Sequence, residues 1–517
     1  MERRIAFCLL VFAASASTSL GEFAVNEHTT YDQKDAATAA DEEGNFVVVW
    51  NSYEQDGDSG GIFGRRFDAN GYAAGGEFQI NATSAGNQGQ PDVAMDGTGN
   101  FVVTWHGPAG PNDSNEDIFA RRFDSNGAAV GDDFRVNTYT AKKQRFAKVA
   151  MNKEGAAVFV WESDKTLSGP ESYAIACRIY DVNGDAVAEE FDGSGFLECS
   201  YPDVAMDGSG DFAVTWMQKE FGLWVMLRRF NADGSAKDFP EKVNVADFSS
   251  VTRPAIAMGD SGHFVVCWDG HPGGASLDDV YARRYLQTGV AVGEPFVVNT
   301  RRSLAQDRPA VAMNILREFV VAWQCETGVG GVGREIFGQR YDAFWNRVGD
   351  EFHINTYLVE DQRYPAVMLR DDGVYVTVWQ SYGQDGSRDG VYGQMGPEVG
   401  CVDLWGDLTV DFRDFCVLAK EWLKDENPLR ADLVDDNVVD EKDLGAFGEQ
   451  WLTACYSCDQ VDMNGDRKID FRDYASLAGD WSQMGPGLVG DITGDGIVEA
   501  EDLRAMVFYW AQRCEGF

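Results

Sequence analysis

Between Phe23 and about Gly400 the chain alternates runs of Val, Phe, Ala and Tyr with short Gly- and Asp-rich interruptions, and one unit recurs throughout. Its clearest copy is Pro91-Asp92-Val93-Ala94-Met95-Asp96-Gly97-Thr98-Gly99-Asn100-Phe101-Val102-Val103-Thr104-Trp105. The tryptophan returns at Trp50, Trp105, Trp161, Trp216, Trp268, Trp323 and Trp379, which is seven copies separated by 55, 56, 55, 52, 55 and 56 residues. After each tryptophan comes a variable stretch, then a strand such as Ile118-Phe119-Ala120-Arg121-Arg122-Phe123, a turn such as Asp124-Ser125-Asn126-Gly127, and a closing strand such as Phe134-Arg135-Val136-Asn137. The pattern predicts four short strands per unit, punctuated by Asp-Gly and Asn-Gly hairpin signals. A sheet of that size buries its faces only against neighbouring copies.

Four strands per copy at this period resembles a β-propeller blade, so the fold class is mainly β, with a seven-bladed β-propeller over residues 21–400. The chain ends of the array imply closure. Gly21-Glu22-Phe23-Ala24-Val25-Asn26 matches a fourth strand such as Gly349-Asp350-Glu351-Phe352-His353-Ile354-Asn355, whereas the seventh unit stops after Val391-Tyr392-Gly393-Gln394-Met395. The N-terminal segment is expected to complete the seventh blade and remove an exposed sheet edge. Such a fold fixes no activity.

Several segments invite a chemical reading. Gly259-Asp260-Ser261-Gly262-His263 looks like the nucleophile segment of a trypsin-like protease, but its slot holds Asp96-Gly97-Thr98-Gly99-Asn100 in the second unit, so it reads as a hairpin turn. The five histidines, His28, His106, His263, His271 and His353, include no pair at metal-ligand spacing. Arg65-Arg66 recurs as Arg121-Arg122, Arg228-Arg229 and Arg283-Arg284, with Arg178, Gln339-Arg340 and Gln394-Met395 in the remaining units. One arginine per pair faces between blades, either as a repeated ion pair or carbonyl contact, or as a ring of cations around the channel. The loops after the tryptophan strands share a face with the links between blades, and functional residues are expected there. Glu54-Gln55-Asp56-Gly57-Asp58, Asn112-Asp113-Ser114-Asn115-Glu116-Asp117 and Gln384-Asp385-Gly386-Ser387-Arg388-Asp389 are acidic enough for calcium or sugar hydroxyls, or are solvated tips. Catalysis of glycoside cleavage would need two facing carboxylates, and 84 acids with no motif nominate none.

The formal charge of −41 repels phosphate backbones and anionic lipids, which argues against nucleic acid as a partner. Arg3 and Arg4 precede the apolar run Ile5 to Ala14 and then small residues, so residues 1–20 read as a secretory signal peptide, and the protein as secreted, extracellular or cell-surface associated. No segment has the roughly 20 apolar residues of a membrane span. Once Cys8 leaves with the signal, nine of the ten cysteines enter an oxidising compartment, where disulfides and at least one free thiol are expected.

From Cys401 a second repeat begins, an acidic loop followed by a short apolar helix, in four copies. In the third, Asp462, Asn464, Asp466, Asp470 and Asp473 put oxygens at positions 1, 3, 5, 9 and 12, with the Lys468 carbonyl at position 7. In the fourth, Asp491, Thr493, Asp495, Glu499 and Asp502 do so with the Ile497 carbonyl. That spacing wraps a loop around Ca²⁺. A tryptophan follows each loop, at Trp422, Trp451, Trp481 and Trp510. These loops resemble dockerin type I repeats: residues 401–455 form a degenerate pair, with Trp405 and Val434 at position 3, and 458–517 a calcium-binding pair. The resemblance implies docking onto a cohesin partner, often in polysaccharide-degrading systems. Positions 10 and 11, commonly hydroxyl-bearing in dockerins, are Phe471-Arg472 and Ala500-Glu501, so the partner is read as cohesin-like or a cell-surface protein. The two-fold arrangement of such pairs implies disulfides Cys401–Cys455 and Cys458–Cys514, the alternative being a local Cys455–Cys458 bridge. The function expected from the whole is a non-catalytic propeller that binds a glycan or protein and carries an attachment tail. The alternative is a polysaccharide hydrolase or lyase with the same tail.

Overall fold

The computed structural model describes residues 22–396, apart from residue 109 and the stretches 111–114, 165–172, 196–197, 220–221, 246–247, 273–276 and 327–332. The expected leader, the expected calcium loops from Asp462 to Asp502 and the tail cysteines lie outside the described residues.

Seven antiparallel blades surround a central channel, each meandering from an inner strand to an outer one. In blade 1 the order is Gln33–Ala40, Phe46–Tyr53, Gly60–Phe67 and Phe78–Gln79. The Val-rich second strand is buried on both faces, since each face meets a neighbouring blade. Val47, Val49 and Ile62 of blade 1 pack on Phe101, Val103 and Trp105 of blade 2. The same arrangement repeats around the ring, and all seven repeat tryptophans are fully buried.

The N-terminus closes the ring. Phe23 and Ala24 pair antiparallel with Gly393 and Tyr392, completing the blade formed by Gln362–Leu369, Tyr375–Tyr382 and Asp389–Met395. The Val25 amide donates to the Val391 carbonyl at 2.9 Å, and the Glu22 carboxylate accepts the Thr356 amide at 2.6 Å from blade 6.

Repeated polar ties join the blades. The first arginine of each pair donates to a carbonyl of the preceding blade: Arg65 to Val25 at 3.1 Å, Arg121 to Ile80 at 2.9 Å, Arg228 to Gly193 at 3.1 Å and Arg283 to Val243 at 3.0 Å. The second points onward, Arg66 to Ser125, Arg229 to Gln287 and Arg284 to Trp345. These arginines are therefore inter-blade carbonyl clasps, and none of them lines the channel. The protease-like segment is a turn: the Gly262 amide donates to the Gly259 carbonyl at 2.9 Å, and its φ of +80° suits glycine.

Among the described residues no disulfide is found, and the expected pairs Cys401–Cys455 and Cys458–Cys514 lie outside them. Cys177, Cys199, Cys267 and Cys325 are buried thiols carried by four different blades. Each packs as a small hydrophobe, and burial pushes the Cys199 thiol up to about 12 and that of Cys325 to about 11. Among the described residues, no helix is long and apolar enough to cross a membrane.

Candidate functional site

Each inner strand carries a β-bulge where it enters the channel. The bulged position is Asp35, Gln90, Phe146, Tyr201, Arg253, Arg308 and Tyr364 in blades 1 to 7, and all seven have positive φ, from 34° to 55°. None is glycine, so each carries backbone strain of about 1–3 kcal/mol. A bulge re-aims its side chain, and here all seven side chains line one cavity of ≈ 400 Å³ at the channel mouth.

The residue after the tryptophan lies opposite the bulge, and in four of the seven blades it accepts the bulge amide of the next blade. Glu162 accepts the Tyr201 amide at 2.7 Å, Asp269 that of Arg308 at 3.2 Å, Gln324 that of Tyr364 at 3.0 Å and Gln380 that of Asp35 at 3.1 Å. Glu162 and Asp269 are almost wholly buried, and burial outweighs these hydrogen bonds to push both carboxyls up to about 7.

The ring is chemically uneven. Arg253 lies over the Tyr201 ring at 4.8 Å and Arg308 over Tyr364 at 4.2 Å. Phe146 meets Tyr201 edge-on at 5.4 Å. The two guanidiniums occupy adjacent blades, and burial together with the Arg253 charge lowers the pKa of Arg308. Nη1 of Arg308 has no hydrogen-bond partner among the described residues. Two like charges over tyrosine faces, one of them with an unpartnered Nη1, form a setting suited to an anion.

Deeper in the channel, Asp92, Lys148 and Asp203 stand on three consecutive blades. The Lys148 ammonium is 3.1 Å from Asp92, whose other oxygen accepts the Val149 amide at 2.9 Å. Burial disfavours the Lys148 charge, but Asp92 and Asp203 outweigh it and its pKa rises. Burial raises Asp203 to about 6. At the opposite end, Lys153 reaches from the blade 3 hairpin to Glu42, Asp260 and Asp371 of blades 1, 5 and 7, at 2.9, 3.2 and 3.3 Å. It ties four turns together across the channel.

The mouth opens on the face expected to be functional, but the residues that build it are not the expected loops. Asp56 accepts the Asp58 amide at 3.2 Å, Asp58 accepts the Gly86 amide at 2.9 Å, and Asp385 accepts the Ser387 amide at 2.9 Å. Those carboxylates are occupied with loop structure and line no part of the mouth. Of the third loop only Asn115, Glu116 and Asp117 are described. The bulge residues carried a sequence signal all the same: in five blades the residue precedes proline, as in Gln90-Pro91 and Arg253-Pro254.

No family model matches this chain, and no curated protein matches it. Among solved structures, a protein of unknown function from Dyadobacter fermentans aligns at 10% identity and a TM-score of 0.44, over 73% of this chain and 98% of that one. An ulvan-type polysaccharide lyase bound to a GlcA–Rha3S glycan aligns at 10% identity and 0.44, over 74% and 96%. The propeller domain of the trilobed protease from Pyrococcus furiosus aligns at 10% and 0.42, over 74% and 95%.

Proposed function

We propose that this is an exported propeller that binds an acidic glycan, bearing carboxylates or sulfates, at its channel mouth, and that its tail attaches it to a partner or the cell surface. The observation that carries the reading is the pair Arg253 and Arg308, adjacent in the ring and stacked on Tyr201 and Tyr364. Guanidinium edges recognise carboxylate and sulfate oxygens in bidentate fashion. Aromatic faces and the Gln90 amide suit a polar ring with apolar C–H faces. An array of acidic and neutral glycans tests this. Acidic glycans should be retained, neutral counterparts should not, and Arg253→Gln with Arg308→Gln should weaken retention at least tenfold, the equivalent of about 1.4 kcal/mol. Equal retention of neutral glycans, or indifference to both substitutions, overturns it.

A second reading, cleavage of that glycan, is favoured by Glu162 and Asp269, two carboxyls beside the mouth that are part-protonated near neutral pH. Release of reducing ends or unsaturated sugars from an acidic polysaccharide, lost in Glu162→Gln, would establish it in place of simple binding. For the tail, the oxygen spacing of 462–473 and 491–502 supports two bound Ca²⁺ and a cohesin-like or cell-surface partner.

A further inference from the structure

A second cavity, of ≈ 330 Å³, opens off the mouth across the tops of blades 1 and 2. It shares Asp35, Gln90 and Phe146 with the mouth, so the two spaces adjoin. Asn51, Tyr53, Asn87 and His106 line its outward course, between the cations Lys34 and Arg145 and the carboxylates Asp35 and Glu116, and Arg145 also faces Glu162 at 3.4 Å.

Two observations point to an occupant. His106 follows Trp105 on the second strand of blade 2 and is only 8% exposed, yet its Nδ1 has no hydrogen-bond partner among the described residues. A buried imidazole nitrogen left unpaired is costly unless a ligand or water completes it. Burial and the Arg145 charge lower its pKa to about 4, so at neutral pH the ring is uncharged and offers one donor and one acceptor. At the outer end, Tyr53 and Tyr31 are 37% and 41% exposed and pack edge to face at 6.0 Å, which holds an aromatic surface open to solvent beside the groove. A polar floor of mixed charge and a solvent-facing aromatic end match successive units of a sugar chain, whose acidic groups the mouth would hold.

We propose that this groove is a subsite for further sugar units, so that the ligand is an extended acidic oligosaccharide running outward from the channel mouth over blades 1 and 2. This rests on the acidic-glycan reading of the mouth and adds the ligand's length and direction. Gly89 forms part of the floor opposite His106, and a Cβ placed there would meet His106 Nε2 at 3.7 Å and Asn87 Nδ2 at 3.9 Å, ordinary contact distances. A side chain at Gly89 would therefore enter the groove, its Cβ at ordinary contact distances and its outer carbons in the space a ligand would take.

Length ladders of uronate and chondroitin sulfate oligosaccharides, monomer to hexamer, titrated against the full chain by calorimetry, test the proposal. Affinity should rise at least tenfold from the shortest oligomer that binds to the tetramer. Tyr53→Ala and, independently, Gly89→Val should each remove most of that rise while leaving the affinity of the shortest binder unchanged. Affinity that depends on Arg253 and Arg308 but does not grow with length overturns the subsite alone. The absence of any binding in the ladders overturns the mouth reading and the subsite with it. Loss of short and long binders together in Tyr53→Ala also counts against a separate subsite, provided the variant's melting temperature is that of the parent.

Discussion

Glu162 and Asp269 meet two opposing demands: each accepts a backbone amide that the bulge would otherwise leave unpaired, and each is buried so far from water that its charged form is disfavoured. Their native pKa values near 7 stand above those of an unfolded chain. Between the two values the native state binds the extra proton, so the stabilising contribution is complete below about pH 4 and is lost as pH rises through about 7. The propeller should be more stable near pH 5 than near pH 8, with a slope of up to roughly 1.4 kcal/mol per pH unit for each carboxyl in that window. Glu162→Gln and Asp269→Asn should flatten the profile. Denaturant midpoints across the range check this, and a parent profile that is flat or rises with pH would refute it. These carboxyls were illegible in the sequence because nothing local separates them from the other acids. Only the ring, which sets one residue after each tryptophan beneath the next blade's bulge, singles them out. The mouth was marked only by the proline that follows five of its residues, and its chemistry was hidden for a related reason. Its seven positions hold five residue types, and a repeat is recognised by what stays the same.

Among the elements, the strands and their order follow from the recurring apolar runs and the hairpin turns between them, and both were legible. The polar tie inside each blade was not, although its residue was in plain view. The Asn that ends each closing strand accepts an amide of the third strand: Asn81 from Ile62 at 2.7 Å, Asn137 from Ile118 at 2.7 Å, Asn299 from Val280 at 2.8 Å and Asn355 from Ile336 at 2.7 Å. Blade 3 substitutes Ser194, whose hydroxyl accepts the Ile175 amide at 3.1 Å. Asn299→Ala leaves the buried Val280 amide unpaired and should cost about 1–3 kcal/mol, whereas Asn299→Ser, copying blade 3, should recover part of the loss. Urea midpoints decide it, and equal midpoints for the alanine and serine variants would show that the hydrogen bond is not what the position supplies. The outer strands vary for a visible reason. Ala129–Arg135, Ala291–Val297 and Arg347–His353 run seven residues, each with a glycine at positive φ, Gly131, Gly293 and Gly349, beside a register shift. The bulge and the neighbouring Asp132, Glu294 and Asp350 blunt an edge that could otherwise recruit another strand.

At the scale of the whole molecule, a ring is only as strong as its seam, and this seam is built from the start of the propeller. Phe23 packs on Phe67 with ring centroids 5.5 Å apart, Val25 is fully buried in the cluster of Val48, Val376 and Val391, and the Asn26 side chain accepts the Val391 amide at 2.6 Å. Arg65 of blade 1 donates to the Val25 carbonyl, so the same segment also joins blade 7 to blade 1. Burying one valine contributes roughly 1.5–3 kcal/mol and each hydrogen bond about 1 kcal/mol, so removing Phe23 to Asn26 should cost several kcal/mol. The damage should not stay local, because every blade is held by two neighbours and an opened seam leaves blades 1 and 7 with one each. It also bares the strand Asp389–Met395, whose free amides and carbonyls can pair with a second molecule. The truncated chain should therefore melt well below the parent in a transition that remains single, and should associate as its concentration rises. Val25→Asp, which leaves the strand in place but buries a charge in the seam, should lower the melting temperature without the association. Calorimetry together with light scattering on the three chains separates these effects. A truncated chain that melts like the parent would mean that the seam does not hold the ring.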